Sequence, residues 1–405
     1  MGKMTFEIMF KRILLYFVAV ASPVQIFSQT IYSLDSSDKI LWKVFPADMV
    51  SASFSDLSAP GFDVSNWVKA KVPGTYFVDY VNAGLEADPN FGDNIYQVDE
   101  KKYNKEFWYR TEFEIPAGFV KEKLWLNFKG VNKEGTFIFN GEQLGNIKGH
   151  MLRSKYDITN KIKEGKNVLL VKTNVPDVRK ERQPTWALDT WANFAMPTYM
   201  GSASWDWMPY VPGLNCGITG NVYLSTTGKV KLEDIWVRSE LPDNSQAFLS
   251  IQANLNNTAN QSVSGTLNGI IMPGNIQFSK TIEIDANQSL SIKIDKNEFA
   301  QLIVNNPLLW WPRGYGNQNL YTLNLEFKSN NEVSDAQSVT FGIRKYEYKN
   351  ENGAFTFYVN HSKVFVRGGN WGMSEYLLRC KGEDYDTRLK LHADMNFNMI
   401  RCWTG

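Results

Sequence analysis

The chain has 405 residues, 43% of them hydrophobic and 21% charged, a globular balance that suggests two or three domains and excludes wholesale disorder. Its 43 basic and 42 acidic residues leave a net charge of +1. That provides no field to gather a phosphate backbone or an anionic lipid surface, which argues against nucleic acid as a partner.

At the N-terminus, Lys3, Lys11 and Arg12 precede the apolar run 13–21, and a polar stretch follows to residue 29. This is the layout of a secretory signal peptide over residues 1–29, so the expected location is secreted or periplasmic. The run is shorter than the about 20 residues a membrane span requires. It contains no cysteine, which gives no support for a lipoprotein anchor.

From about residue 34 to 225, short apolar and aromatic runs alternate with turn residues, as in FWYRTEFEIP, KLWLNFKGV, GTFIFNGEQLG and KNVLLVKTNV. The pattern is all-β. Phe137, Ile138 and Phe139 run into Asn140-Gly141, a strong hairpin signal because both turn positions tolerate positive φ. In KLWLNF, Leu124, Leu126 and Phe128 alternate with Trp125 and Asn127, which predicts a half-buried strand of a sandwich. Residues 179–220 then form a long aromatic segment with little periodicity. Its tryptophans Trp186, Trp191, Trp205 and Trp207 favour function over disorder. A strand at 220–224 closes this first region.

A second β pattern covers 229–344, with seven runs from LEDIWVRSEL to SVTFGIRKY. Their spacing predicts an immunoglobulin-like sandwich without the cysteine pair of antibody domains. The stretch FTFYVNHSKVFVRG predicts a hairpin. Val364, Phe365 and Val366 form a run that halts at Gly368-Gly369. Tyr385, Leu389, Leu391 and Met395 recur near helical spacing, and Phe397, Met399, Ile400 and Cys402 resume a strand. A parallel pair with a crossover helix fits this order, as at the start of a (β/α)8 barrel, and far too few residues remain to close one. The 405 residues therefore read as the front part of a longer protein.

The cysteines Cys216, Cys380 and Cys402 lack metal-ligand spacing, and the histidines His150, His361 and His392 stand far apart. Neither a disulfide framework nor a metal centre is expected. Cys402 reads as a small buried apolar residue and His392 as a packing residue. Phosphate-binding and nucleotide-binding motifs are not present, and no cofactor is expected.

HADMNFNMIRCW, RGGNWGMSEYLLR, LWWPRGYGNQNLY and FGIRKYE, with the earlier WYR, GVN and NGEQLG, carry a resemblance to glycoside hydrolase family 2. The similarity is to its β-mannosidase, glycoprotein endo-β-mannosidase and exo-β-D-glucosaminidase branches. It implies a multidomain protein: signal peptide 1–29, galactose-binding-like jelly roll 30–228, immunoglobulin-like sandwich 229–344, and the start of a TIM barrel at 345–405.

Glycoside hydrolysis with retention needs two carboxylates about 5 to 5.5 Å apart. The resemblance implies that they end the fourth and seventh barrel strands, which this chain does not contain, so no catalytic residue is assigned. Glu375, Glu383, Asp384 and Asp386 follow strand 1 or open the helix, where Glu383 and Asp384 suit the helix dipole. What remains is a substrate-binding set. Arg401 and Trp403 share one face at the end of a barrel strand, where a guanidinium can fork to hydroxyls or hold a carboxylate and an indole can stack on a pyranose. Asn370 and Trp371 end the preceding strand. Trp205-Asp206-Trp207 places an acid between two rings on a long loop, and it matches a W-D-W whose aspartate, in the β-mannosidase branch, reaches the sugar subsite. The expected function is that of the N-terminal part of a secreted retaining β-glycosidase acting on β-mannosides or β-glucosaminides, with an oligosaccharide or glycan as partner. The competing reading is a non-catalytic carbohydrate-binding β-sandwich protein.

Overall fold

The computed structural model describes residues 30–149, 152–174, 212–371, 375–380 and 382–402. Ten strands make the first region: β1 (Ile31–Ser33), β2 (Trp42–Pro46), β3 (Val68–Ala70), β4 (Phe107–Glu114), β5 (Lys123–Phe128), β6 (Glu134–Phe139), β7 (Glu142–Lys148), β8 (Ser154–Asp157), β9 (Lys166–Asn174) and β10 (Val222–Thr227). They form two antiparallel sheets, ordered β1-β10-β5-β8 and β3-β2-β4-β9-β6-β7. The alternating runs read from the sequence line the space between them. Trp42, Tyr109, Leu126, Phe128, Phe137, Phe139 and Leu169 are buried there. Helix α1 (Phe54–Leu57) is capped by Ser53 and covers the outer face of the larger sheet, where Leu57 packs with Trp67, Trp108 and Ile138. Helix α2 (Tyr76–Asn82) buries Tyr76, Phe77 and Val78.

The predicted hairpin is present: Asn140 (φ 51°) and Gly141 (φ 91°) join β6 to β7. Asn140 also ties the turn inward, since its Nδ2 donates to Lys161 O and Asn167 Oδ1.

Strand β5 differs from expectation. Trp125 and Asn127, the residues expected to face water, are buried as well. The second sandwich covers Trp125. Lys231 places its ammonium 4.1 Å from the Trp125 ring centroid and, with Lys155, holds Glu233 at 2.9 and 2.8 Å. Between β5 and β10 of the first sandwich, Trp125 Nε1 donates to Thr227 Oγ1, and Asn127 Nδ2 to Ser225 Oγ. Alternation in one sequence reports a strand's intrinsic pattern and carries no record of a neighbouring domain.

The second sandwich contains β11 (Val230–Asp243), β12 (Gln246–Asn257), β13 (Val263–Met272), β14 (Ile276–Ile284), β15 (Ser289–Asp295), β16 (Ile303–Asn305), β17 (Tyr321–Ser329) and β18 (Glu332–Phe341). One sheet is β11-β12-β15 with β16 beside β12, the other β14-β13-β17-β18. Along β12, Ala247, Leu249, Ile251, Ala253 and Leu255 are buried at every second position, the signature of one core-facing side. The seven expected strands are all present. β16 is additional, and at three residues it is too short to carry a period.

A meander follows: β19 (Tyr346–Glu351), β20 (Ala354–Val359) and β21 (Ser362–Val364). Then β22 (Gly368–Trp371), helix α3 (Gly382–Asp394) and β23 (Met399–Cys402) form a parallel β-α-β unit. The parallel strand therefore begins at Gly368 instead of halting there, and Phe365 and Val366 are exposed in the link before it. A Cβ on Gly368 would lie 2.0 Å from Met399 O, so only glycine allows this close pairing. Cys402 is exposed, contrary to expectation, because β23 has no second neighbouring strand among the described residues.

Candidate functional site

The β22–β23 pair aligns Gly368 with Met399, Gly369 with Ile400, Asn370 with Arg401 and Trp371 with Cys402. In this register Arg401 Nη1 donates to Asn370 Oδ1 at 3.1 Å. Two of the sequence-expected residues thus meet near the C-terminal ends of a parallel pair, the end at which barrel enzymes build their sites. Both are solvent-exposed. Among the described residues Arg401 bonds only Asn370 through its side chain, and a guanidinium can hold a carboxylate or sugar hydroxyls in a forked geometry.

Trp371 lies one residue on, and the strand's alternation sends it toward α3. Its ring stacks on His392 at 5.8 Å and 21° between planes, and sits 5.7 Å from Tyr385. His392 also contacts Phe397 at 5.6 Å, and its Nδ1 lies 2.7 Å from Arg388 O, the packing role expected of it. Glu383 and Asp384 occupy the first turn of α3. Trp205, Asp206, Trp207 and Trp403 lie outside the described residues.

Sequence reasoning missed how the β22–α3 connection is held. Residues 375–380 lean on the first sandwich: Leu377 is 1% exposed and belongs to that sandwich's core. Asn215 Nδ2 donates to Tyr376 O at 2.7 Å. Arg379 Nη1 meets Asp88 Oδ2 at 2.6 Å, and Asn90 Nδ2 donates to Glu375 Oε1 at 3.0 Å. The Arg379 guanidinium holds the Asp88 carboxyl below the usual carboxylate range. One signal was available, the Glu375 to Arg379 spacing of four residues, but its partner lies nearly 300 residues away.

Beneath this contact lies a cavity of about 380 Å³, lined by Lys71, Thr75, Asp79, Asn82, Leu377 and Arg379 among others. Burial pushes the Asp79 carboxyl well above its usual range, although one oxygen accepts the Lys71 N–H at 2.8 Å. Burial likewise pushes the Cys216 thiol up to about 12, so it does not serve as a nucleophile. Asn215, on the C-terminal flank of 175–211, lies at the same border through Tyr376 O, and Gly213 ties this flank to the first sandwich. Gly213 N donates to Asn104 Oδ1, and Tyr76 Oη to Gly213 O. Among the described residues, no group of three or more His, Cys, Asp or Glu is placed to hold a metal ion.

An aromatic-rich sandwich, a second sandwich and a β-α-β unit with an arginine at its strand ends make up a multidomain, mostly β architecture. The chain matches the galactose-binding-like domain model of glycosyl hydrolase 2 over residues 53–220 and the glycosyl hydrolases family 2 model over residues 230–344. It belongs to glycoside hydrolase family 2. The mannosylglycoprotein endo-β-mannosidase of Lilium longiflorum is 31% identical over 376 residues, which are 88% of this chain and 39% of that protein. The exo-β-D-glucosaminidase of Streptomyces avermitilis is 26% identical over 351 residues, 85% of this chain and 36% of that protein. Among solved structures, the β-D-mannosidase from Dictyoglomus thermophilum matches with TM-score 0.75 at 26% identity, covering 92% of this chain and 44% of that one. The exo-chitosanase of Amycolatopsis orientalis, at TM-score 0.77, 23% identity and coverages of 92% and 41%, shares the fold. The chain spans about two fifths of the length of these curated relatives. Among the described residues, no helix is long and apolar enough to cross a membrane.

Proposed function

We propose that these 405 residues are the substrate-orienting front part of a secreted, retaining β-glycosidase that hydrolyses β-mannosides or β-glucosaminides, with both catalytic carboxylates on later strands outside this chain. The observation that carries the reading is the Asn370–Arg401 hydrogen bond at the C-terminal ends of a parallel pair. That pair is joined to a loop seated on a galactose-binding-like sandwich. An asparagine that fixes one edge of the guanidinium leaves the rest of the fork directed by geometry rather than by chance rotamers. The names of the relatives support a β-linked mannose or glucosamine as substrate.

On this reading residues 1–29 are an export signal, 30–228 the sugar-binding jelly roll, 229–344 the connecting immunoglobulin-like sandwich, and 345–405 the first part of the barrel. Asp206 accepts hydrogen bonds from sugar hydroxyls, and Trp205, Trp207 and Trp403 form apolar walls. Support for Asp206 comes from Asn215, nine residues downstream of it, whose Nδ2 donates to Tyr376 O across the border. In the protein that carries the catalytic carboxylates, Asp206→Ala should lower kcat/KM at least about tenfold, about 1.4 kcal/mol of transition-state binding. Unchanged kinetics in a folded variant would remove Asp206 from the site.

A further inference from the structure

Leu377 stands in the connection that follows β22, yet it is buried in the core of a sandwich whose strands lie far earlier in the chain. Connecting segments normally run over the surface, so a loop leucine held this way is an anchor. Around it Glu375 acts as a hub. Its Oε2 accepts the N–H groups of Leu377 at 3.1 Å and Arg379 at 2.8 Å. Its Oε1 accepts Asn90 Nδ2 at 3.0 Å, Arg379 Nη2 at 3.2 Å and Arg379 Nε at 3.3 Å. Arg379 then reaches outward with Nη1 to Asp88 Oδ2 at 2.6 Å. Asp88 is itself set in place, because its Oδ1 accepts the Asn90 N–H at 2.9 Å.

We infer that Asp88, Glu375 and Arg379 form a positioning bridge that seats the β22–α3 connection on the first sandwich and so fixes where the ends of β22 and β23 stand relative to it. The effect on substrate rests on the glycosidase reading above; the seating does not. An exposed ion pair alone contributes little stability. This bridge acts through geometry: a planar guanidinium holds one carboxylate of its own loop and one of the partner domain at once, which the point charge of a lysine does not reproduce. Asn370 and Arg401, at the ends of β22 and β23, are substrate-binding residues on that reading, so a device that holds these ends in register with the first sandwich acts on substrate binding without touching substrate.

The test compares Asp88→Asn, Arg379→Gln, Arg379→Lys and the Asp88→Asn/Arg379→Gln pair. In the 405-residue chain, hydrogen exchange over residues 375–380 and in β22 and β23 should rise about tenfold in each single variant, with the first sandwich's strands unchanged. The pair should be no worse than Arg379→Gln, because both act on one interaction. In the protein bearing the catalytic carboxylates, Arg379→Gln should raise KM about tenfold while kcat changes less than about twofold, with Arg379→Lys only partly rescuing it. Unchanged exchange in β22 and β23, or additive effects in the pair, overturns the bridge. Raised exchange with unchanged KM overturns its positioning role. If the wild-type longer protein cleaves neither an aryl β-mannoside nor an aryl β-glucosaminide, the glycosidase reading fails and the exchange measurements alone decide the bridge.

Discussion

Arg401 donates to Asn370 across the β22–β23 pair at 3.1 Å, so the side chain most suited to grip a carboxylate or a diol is held at one edge by a neutral acceptor. An aspartate there would neutralise the arginine and draw its donors away from ligand. Arg401→Lys keeps the charge but loses the planar fork. In the protein with its catalytic carboxylates, this change should lower kcat/KM by about ten- to a hundredfold, about 1.4 to 2.7 kcal/mol. Steady-state kinetics on an aryl β-glycoside check it, and wild-type values would take Arg401 out of the substrate site.

Trp125 is the link between the sandwiches. It lies 7% exposed under the Lys231 ammonium, with the Lys155–Glu233 pair alongside. Trp125→Ala deletes a large buried ring and should cost about 3–5 kcal/mol. It should also split thermal unfolding into two transitions as the sandwiches uncouple. A single transition shifted by less than a degree would show that the indole carries no interdomain coupling.

Much of this architecture was legible because it is written in local chemistry. The Asn140-Gly141 turn needs positive φ at both positions. β12 alternates along its whole length. The β-α-β order followed from periodicities of two and near four. The start of β22 was misplaced because Val364, Phe365 and Val366 have strand composition but only Val364 lies in a strand. Trp125 was expected to face water because the lysine that covers it is more than a hundred residues later. For the candidate site, Asn370 and Arg401 were expected at strand ends, and the structure brings the two side chains together there. The Asp88–Arg379 contact was not, since long-range ion pairs leave no periodic trace.

The interface also predicts a pH dependence. Asp335 accepts the N–H groups of Leu232 and Ala336 at 2.8 and 2.9 Å, yet burial dominates and pushes its carboxyl from 3.8 up to about 6. Because this acid is raised in the folded state, the fold binds more protons than the unfolded chain between those values. Its contribution to stability is therefore full below about pH 4 and falls as pH rises to about 6, by about 3 kcal/mol for a two-unit shift. Asp335→Asn should remove that slope while lowering stability at every pH, since an amide cannot accept both N–H groups. Urea midpoints at pH 4 and pH 6.5 measure it; an identical slope in the variant would assign the dependence elsewhere.

On the proposed function, substrate orientation resides in this chain and bond cleavage in later barrel strands. Turnover of 4-nitrophenyl β-mannoside and β-glucosaminide, measured side by side for the 405-residue chain and for the protein extended through the remaining barrel, tests it most directly. The account predicts no turnover by the former and hydrolysis with retained anomeric configuration by the latter. Turnover by the 405-residue chain, purified free of host glycosidase, or failure of the extended protein on both substrates, would contradict it.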